Sequence, residues 1–150
     1  MANLLKVSEA ASLGLHIMAL LAAEPERLHS VREAAASLGV SEAHLAKVMQ
    51  RMSRAGLVEG VRGPRGGFLL ARPPEQIRLR EVYEAIEGRI VIRHCLFGTR
   101  LCDGENCIFG GMLESVDTQV RQYLDKTSLA AVVASVRGAG KQEMNAPEHR

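Results

Sequence analysis

Cys95, Cys102 and Cys107 stand within thirteen residues, spaced C-x6-C-x4-C, in the run His94-Cys-Leu-Phe-Gly-Thr-Arg-Leu-Cys-Asp-Gly-Glu-Asn-Cys107. Isolated buried cysteines scatter over helix faces, where they act as small hydrophobes. Three in one polar, glycine-bearing span suit a shared ligand instead, because a loop lets the thiolates converge. Soft sulfur selects iron–sulfur clusters, zinc or Cu(I), and a cluster or a tetrahedral zinc needs a fourth donor. The spacing leaves the metal open. Three cysteines cannot all pair within one chain, so a disulfide scaffold of the secreted kind is not expected.

Charge is the second concentration of chemistry. The 150 residues carry a formal charge of only +2. Between Ser41 and Arg80, however, eight basic residues (Lys47, Arg51, Arg54, Arg62, Arg65, Arg72, Arg78 and Arg80) face three acids, so this stretch carries +5 and the flanks together −3. A basic module between acidic flanks suits a polyanion. The chain has no phosphate-binding glycine loop, no His-Glu-x-x-His and no Cys–His arrangement with an oxyanion site, so catalysis is not expected.

The elements that must position these groups are written in caps and periodicity. With 47% apolar residues the chain can bury enough surface to offset ordering entropy, as one compact domain with one long appended element. The longest apolar run, Ile17 to Ala23, is far too short to cross a bilayer and ends at Glu24-Pro25-Glu26. Glu9 and His16 break what would be a secretory leader, which points to a cytoplasmic protein with no membrane partner. Residues 7–23 read as a first helix with Val7, Ala10, Ala11, Gly14, Ile17, Met18 and Leu21 inward. Ser30-Val-Arg-Glu33 is a capping-box pattern opening a second helix, and Gly39 closes it. Ser41 caps a third helix whose inner stripe is Leu45, Val48, Met49 and Met52 and whose outer stripe is His44, Lys47, Arg51 and Arg54.

Two short helices joined by a glycine turn, the second cationic outside, form a helix-turn-helix. Two β-prone runs, Leu57 to Val61 and Gly67 to Ala71, flank Arg62-Gly-Pro-Arg-Gly-Gly67, which predicts a hairpin wing with Arg62 and Arg65 at its tip. Pro73-Pro74 closes it. A further helix is expected from Leu79 to Glu87, with Val82 and Ile86 inward, ending at Gly88. After the cysteines, Ile108, Met112, Leu113, Val116, Val120, Tyr123 and Leu124 make an apolar stripe, read as a homodimerisation helix outside the winged core. Ser128 to Val136 adds a short helix. The expected organisation is thus a winged helix-turn-helix domain (1–88), a cysteine loop (89–107), a dimerisation helix with a short C-terminal helix (108–137) and a disordered tail (138–150). The fold class is mainly α with a small β-hairpin.

In such a fold the third helix enters the major groove of double-stranded DNA with its N-terminal residues nearest the bases. Ser41, Glu42 and His44 stand there, Glu42 able to accept from a cytosine amino group. Lys47, Arg51 and Arg54 are placed for phosphates, and Arg62 or Arg65 for an adjacent minor groove.

Leu45 to Val58, then Val61-Arg-Gly-Pro-Arg-Gly-Gly-Phe-Leu-Leu-Ala-Arg-Pro-Pro74, then three cysteines before a long helix, resemble the IscR/NsrR group of bacterial winged-helix regulators over roughly residues 1–130. The resemblance implies a homodimeric repressor whose cysteines hold an iron–sulfur cluster, with promoter affinity set by iron–sulfur status, redox state or nitric oxide. The group commonly spaces its cysteines with five residues in each gap, so Cys95 and Cys107 match and Cys102 is shifted by one. A histidine completes the site in the iron–sulfur assembly regulators, but Gly110 stands in its place here. In the nitric-oxide sensors an acidic residue on the partner's first helix does so, and Glu9 matches it. Glu9 is therefore the expected fourth ligand, with His94 and His16 as alternatives, and a 4Fe–4S cluster is favoured over 2Fe–2S. Some members carry no cluster and act through thiols or zinc, or by binding a metabolic enzyme. That is the alternative reading.

Overall fold

The computed structural model describes residues 7–91, 107–109 and 111–135. His94, Cys95, Cys102 and the expected tail lie outside the described residues. Among the described residues six α-helices and one hairpin follow in order: α1 (Glu9–Ala23), α2 (Val31–Leu38), α3 (Glu42–Arg54), β1 (Val58–Val61), β2 (Gly67–Leu70), α4 (Leu79–Glu87), α5 (Met112–Lys126) and α6 (129–135). The fold is the expected one, mainly helical with a two-stranded wing.

Three serines begin the first three helices. The hydroxyls of Ser8, Ser30 and Ser41 accept from the amides of Ala11, Glu33 and His44, so each satisfies one orphan N–H of its helix. The reciprocal half of the expected box at Ser30 is replaced: the Glu33 carboxylate turns to Arg27, which also meets Glu24 at 3.2 Å. Gly39 ends α2 in the left-handed region (φ 66°), and Val40 donates to the Ala35 carbonyl at 3.0 Å. That cap turns the chain sharply enough for Ser41 to begin α3 two residues later.

All four residues of the predicted inner stripe of α3 are buried, together with Ile17, Met18 and Leu21 of α1 and Val82 and Ile86 of α4. Val7 departs from expectation. It precedes the helix and stands half exposed, because Ser8 is the cap and Glu9 the first helical residue.

The wing is antiparallel, with Val58 opposite Leu70 and Val61 opposite Gly67. A third short pairing joins it to the start of α2: His29 and Phe68 exchange both backbone hydrogen bonds, at 3.1 and 2.8 Å. This explains the glycine pair of the wing motif. A Cβ on Gly67 would lie 2.4 Å from the His29 carbonyl oxygen, and one on Gly66 would lie 2.3 Å from that of Val61.

The last helical stretch differs from expectation at both ends. Ile108 stands in a turn before α5 and is almost fully exposed; the Gly110-Gly111 pair disfavours helix there, by about 1 kcal/mol per glycine in a helix interior. At the other end α5 does not lie wholly outside the core. Leu124 of α5 and Leu129 of α6 are buried in it, and the Leu79 and Leu129 amides donate to the Thr127 and Ile77 carbonyls, both at 3.0 Å. Among the described residues no helix is long and apolar enough to cross a membrane.

Candidate nucleic-acid interface

Residues at the start of α3 and the tip of the wing define one candidate surface. Ser41, Glu42 and Lys47 are exposed and His44 is half buried. Ser41 already uses its hydroxyl as the N-cap, so its part at any interface is to hold the first turn of α3 as much as to touch a partner. His44 has a neighbour that the sequence alone did not reveal: its Nδ1 lies 3.8 Å from the Glu9 carboxylate of α1, which is 84% exposed.

The basic stretch divides into two sets. Arg72 donates to Glu81 at 2.6 Å, and Arg80 donates to Glu84 at 3.1 Å and Asp125 at 3.0 Å. The hydrogen bonds to Asp125 and then to Glu84 raise the Arg80 pKa above its ordinary value. Arg78 reaches the Lys126 carbonyl at 3.2 Å, and Arg51 the Ile86 carbonyl at 3.0 Å. These four bind the fold to itself. Lys47, Arg54, Arg62 and Arg65 make no ion pair among the described residues and are all exposed. Within the basic stretch, the charge to spare therefore lies on the outer face of α3 and at the wing tip.

Of the residues expected at a metal, Glu9, His16 and Cys107 are described with their surroundings. Cys107 is a free, half-buried thiol four residues before Gly111, the N-cap of α5. Among the described residues no three metal-ligating side chains come together. His16 is exposed on α1 with its Nδ1 2.7 Å from the Ser12 carbonyl oxygen, an engagement with its own helix. Sequence reasoning also missed Ser8, whose hydroxyl caps α1 and donates to Glu87 at the end of α4. The signal was available in the serine placed just before the apolar periodicity.

The stripe expected to pair two chains stays open on α5. Met112, Val120 and Tyr123 are exposed, Val116 is half buried, and Ile108 stands just before them. A groove of about 450 Å³ runs beside it, lined by Val7, Tyr83, Ile90, Val116 and Val120.

Residues 7–135 match the Rrf2 family, described as iron-dependent transcriptional regulators. Over 123 residues the chain is 39% identical to the HTH-type transcriptional regulator IscR of Cereibacter sphaeroides, covering 77% of each chain. Among solved structures it is similar to CymR (YrzC), the global cysteine regulator of B. subtilis, with a TM-score of 0.74 at 26% identity over 88% of this chain and 98% of that one. T. potens IscR is similar with a TM-score of 0.70 at 27% identity, covering 97% and 94%. These relatives are regulators rather than enzymes. With a capped helix-turn-helix, a paired wing and a match running through both, the chain belongs to the Rrf2 family of DNA-binding transcriptional regulators.

Proposed function

We propose that the chain works as a homodimeric repressor that lays two copies of α3 into the major groove of promoter DNA, its affinity set by an iron–sulfur cluster on the cysteine span. The observation that carries the DNA half is the separation of charges: Lys47, Arg54, Arg62 and Arg65 are exposed without an ion pair among the described residues, while the other cations of the basic stretch bond within the fold. Phosphate neutralisation by the α3 cations supplies affinity and register. Glu42 and His44 stand where a recognition helix meets base edges, and Arg62 or Arg65 reaches the adjacent minor groove.

The donor set fits a cluster. Cys95, Cys102 and Cys107 would supply three thiolates, and Glu9 of the partner subunit a carboxylate that exchanges more readily than a thiolate. Glu9 suits this use because it is exposed and its neighbour His44 is beyond hydrogen-bonding distance. His16, engaged with Ser12, and His94 are the other donors. The open stripe on α5, Ile108 to Tyr123, is the surface through which two chains would join. A bound 4Fe–4S cluster would supply a centre that is lost when iron is scarce and that reacts with oxidants and nitric oxide.

Likeness to a global cysteine regulator favours one second reading, in which the thiols act without a cluster or hold zinc. Iron, sulfide and zinc content with visible spectra on anaerobically purified protein separates the two. The proposal expects a brown protein with about four iron and four sulfide per chain, diminished in Cys95→Ser, Cys102→Ser, Cys107→Ser and Glu9→Ala. A colourless protein with about one zinc per chain would overturn it in favour of the second.

A further inference from the structure

Arg51 belongs by sequence to the outer stripe of α3, seven residues after His44 and three before Arg54. Its guanidinium nevertheless donates to the Ile86 carbonyl of α4 at 3.0 Å. The last turn of α4 explains why it is wanted there. That turn offers carbonyls without helical partners and the negative end of the helix dipole. Its own charged residues, Glu84 and Glu87, are acidic, and it has no base. Arg51 brings to that turn the cation its own residues lack, from the helix proposed to face DNA.

Ile86, whose carbonyl Arg51 meets, has its side chain packed into a close junction. A Cβ on Gly14 of α1 would lie 2.7 Å from the Met52 methyl and 3.2 Å from Ile86 Cγ1, so α1, α3 and α4 meet there at minimal separation. Ile86 thus presses its side chain against Gly14 and Met52 while its carbonyl holds Arg51. Packing fixes how near α3 comes to α4. The planar guanidinium, with its directional N–H bond, fixes how α3 is turned about that contact.

We propose that Arg51 is a positioning residue for DNA reading, setting the orientation of α3 from the end of α4 rather than neutralising a phosphate. The inference rests on the reading that α3 enters the major groove, and it makes a separable prediction about salt. A lost phosphate contact lowers the slope of log affinity against log salt by about 0.9 and weakens binding to all sequences alike. A lost orientation leaves slope and non-specific binding in place and costs only the preference for the right sequence.

The test uses the full-length chain as purified anaerobically, a duplex that the wild-type protein selects from a randomised pool, and a mixed-sequence duplex of equal length. Arg51→Met should weaken binding to the selected duplex about tenfold, leaving the salt slope and the mixed-sequence affinity unchanged. Arg54→Met, as the phosphate comparison, should lower both. Arg51→Lys keeps the charge without the guanidinium fork, so it should share the selective loss; it carries the test alone if Arg51→Met does not fold. A reduced slope in Arg51→Met, or wild-type behaviour of Arg51→Lys, overturns the proposal. Wild-type protein that shows no salt-dependent binding to either duplex would instead overturn the DNA reading beneath it.

Discussion

Arg62 is the residue at which charge, exposure and the wing turn meet most directly. It follows the last residue of β1 and makes no ion pair among the described residues. Arg62→Ala should weaken promoter binding by about 1–3 kcal/mol, roughly fivefold to 150-fold, measured by fluorescence anisotropy; unchanged affinity and salt slope would remove the wing from the interface. Gly14 shows the opposite kind of constraint, since its function is to be absent. Gly14→Val should lower stability by about 1–3 kcal/mol in urea unfolding, because the Met52 methyl and Ile86 must both retreat. The chemistry of the candidate residues was legible in the sequence: thiols in a cluster, a carboxylate at a first turn, cations at helical spacing. Their partners were not. That Arg51 spends itself on Ile86, or that Glu9 neighbours His44, depends on contacts across 35 residues of chain in each case, and no local periodicity encodes those.

At the scale of elements, reading from sequence worked wherever the signal was local. Ser30, Gly39 and Ser41 fix the ends of α2 and α3 through hydrogen bonds within four residues, and α4 runs from Leu79 to Glu87 as its stripe and Gly88 require. Ser41→Ala should accordingly cost about 1 kcal/mol of stability, readable as a lowered unfolding midpoint; no change would mean that the first turn of α3 is held by something else. It failed where an apolar residue stood past a cap or a glycine pair, as Val7 and Ile108 do, because hydrophobicity alone marks a face and not a boundary. The split between core and appended helix was also illegible. Leu124 continues the α5 stripe without any sign that it joins the core while Tyr123 remains outside. The open part of that pattern should join two chains, so Val120→Asp should convert dimer to monomer in sedimentation velocity. A dimer that persists at micromolar concentration would move the interface off α5.

Across the whole molecule, the charges that do not face outward hold the late segments to the winged domain. Arg80 joins α4 to Asp125 of α5, Arg78 reaches the Lys126 carbonyl, and Arg72, just after the wing, meets Glu81 at 2.6 Å. Glu81 is the hinge of this set, since its carboxylate also accepts from the Arg78 amide at 3.0 Å and so closes the first turn of α4. Partial burial is the largest single influence on its pKa and would raise it. The Arg78 amide, the Arg72 hydrogen bond and the two guanidinium charges together outweigh burial and hold it below the ordinary carboxylate value. A carboxylate whose pKa is lowered by folding contributes stability above its unfolded pKa, and that contribution is lost as the pH falls through the folded one. Wild type should therefore exceed Glu81→Gln in unfolding midpoint at pH 6, and the two curves should converge as the pH is lowered towards 3. The comparison isolates Glu81 because every other carboxylate titrates in both proteins. A gap that stays constant with pH would show that Glu81 acts by shape rather than charge, with the bonds of Arg80 to Asp125 and of Arg78 to Lys126 still holding the late segments.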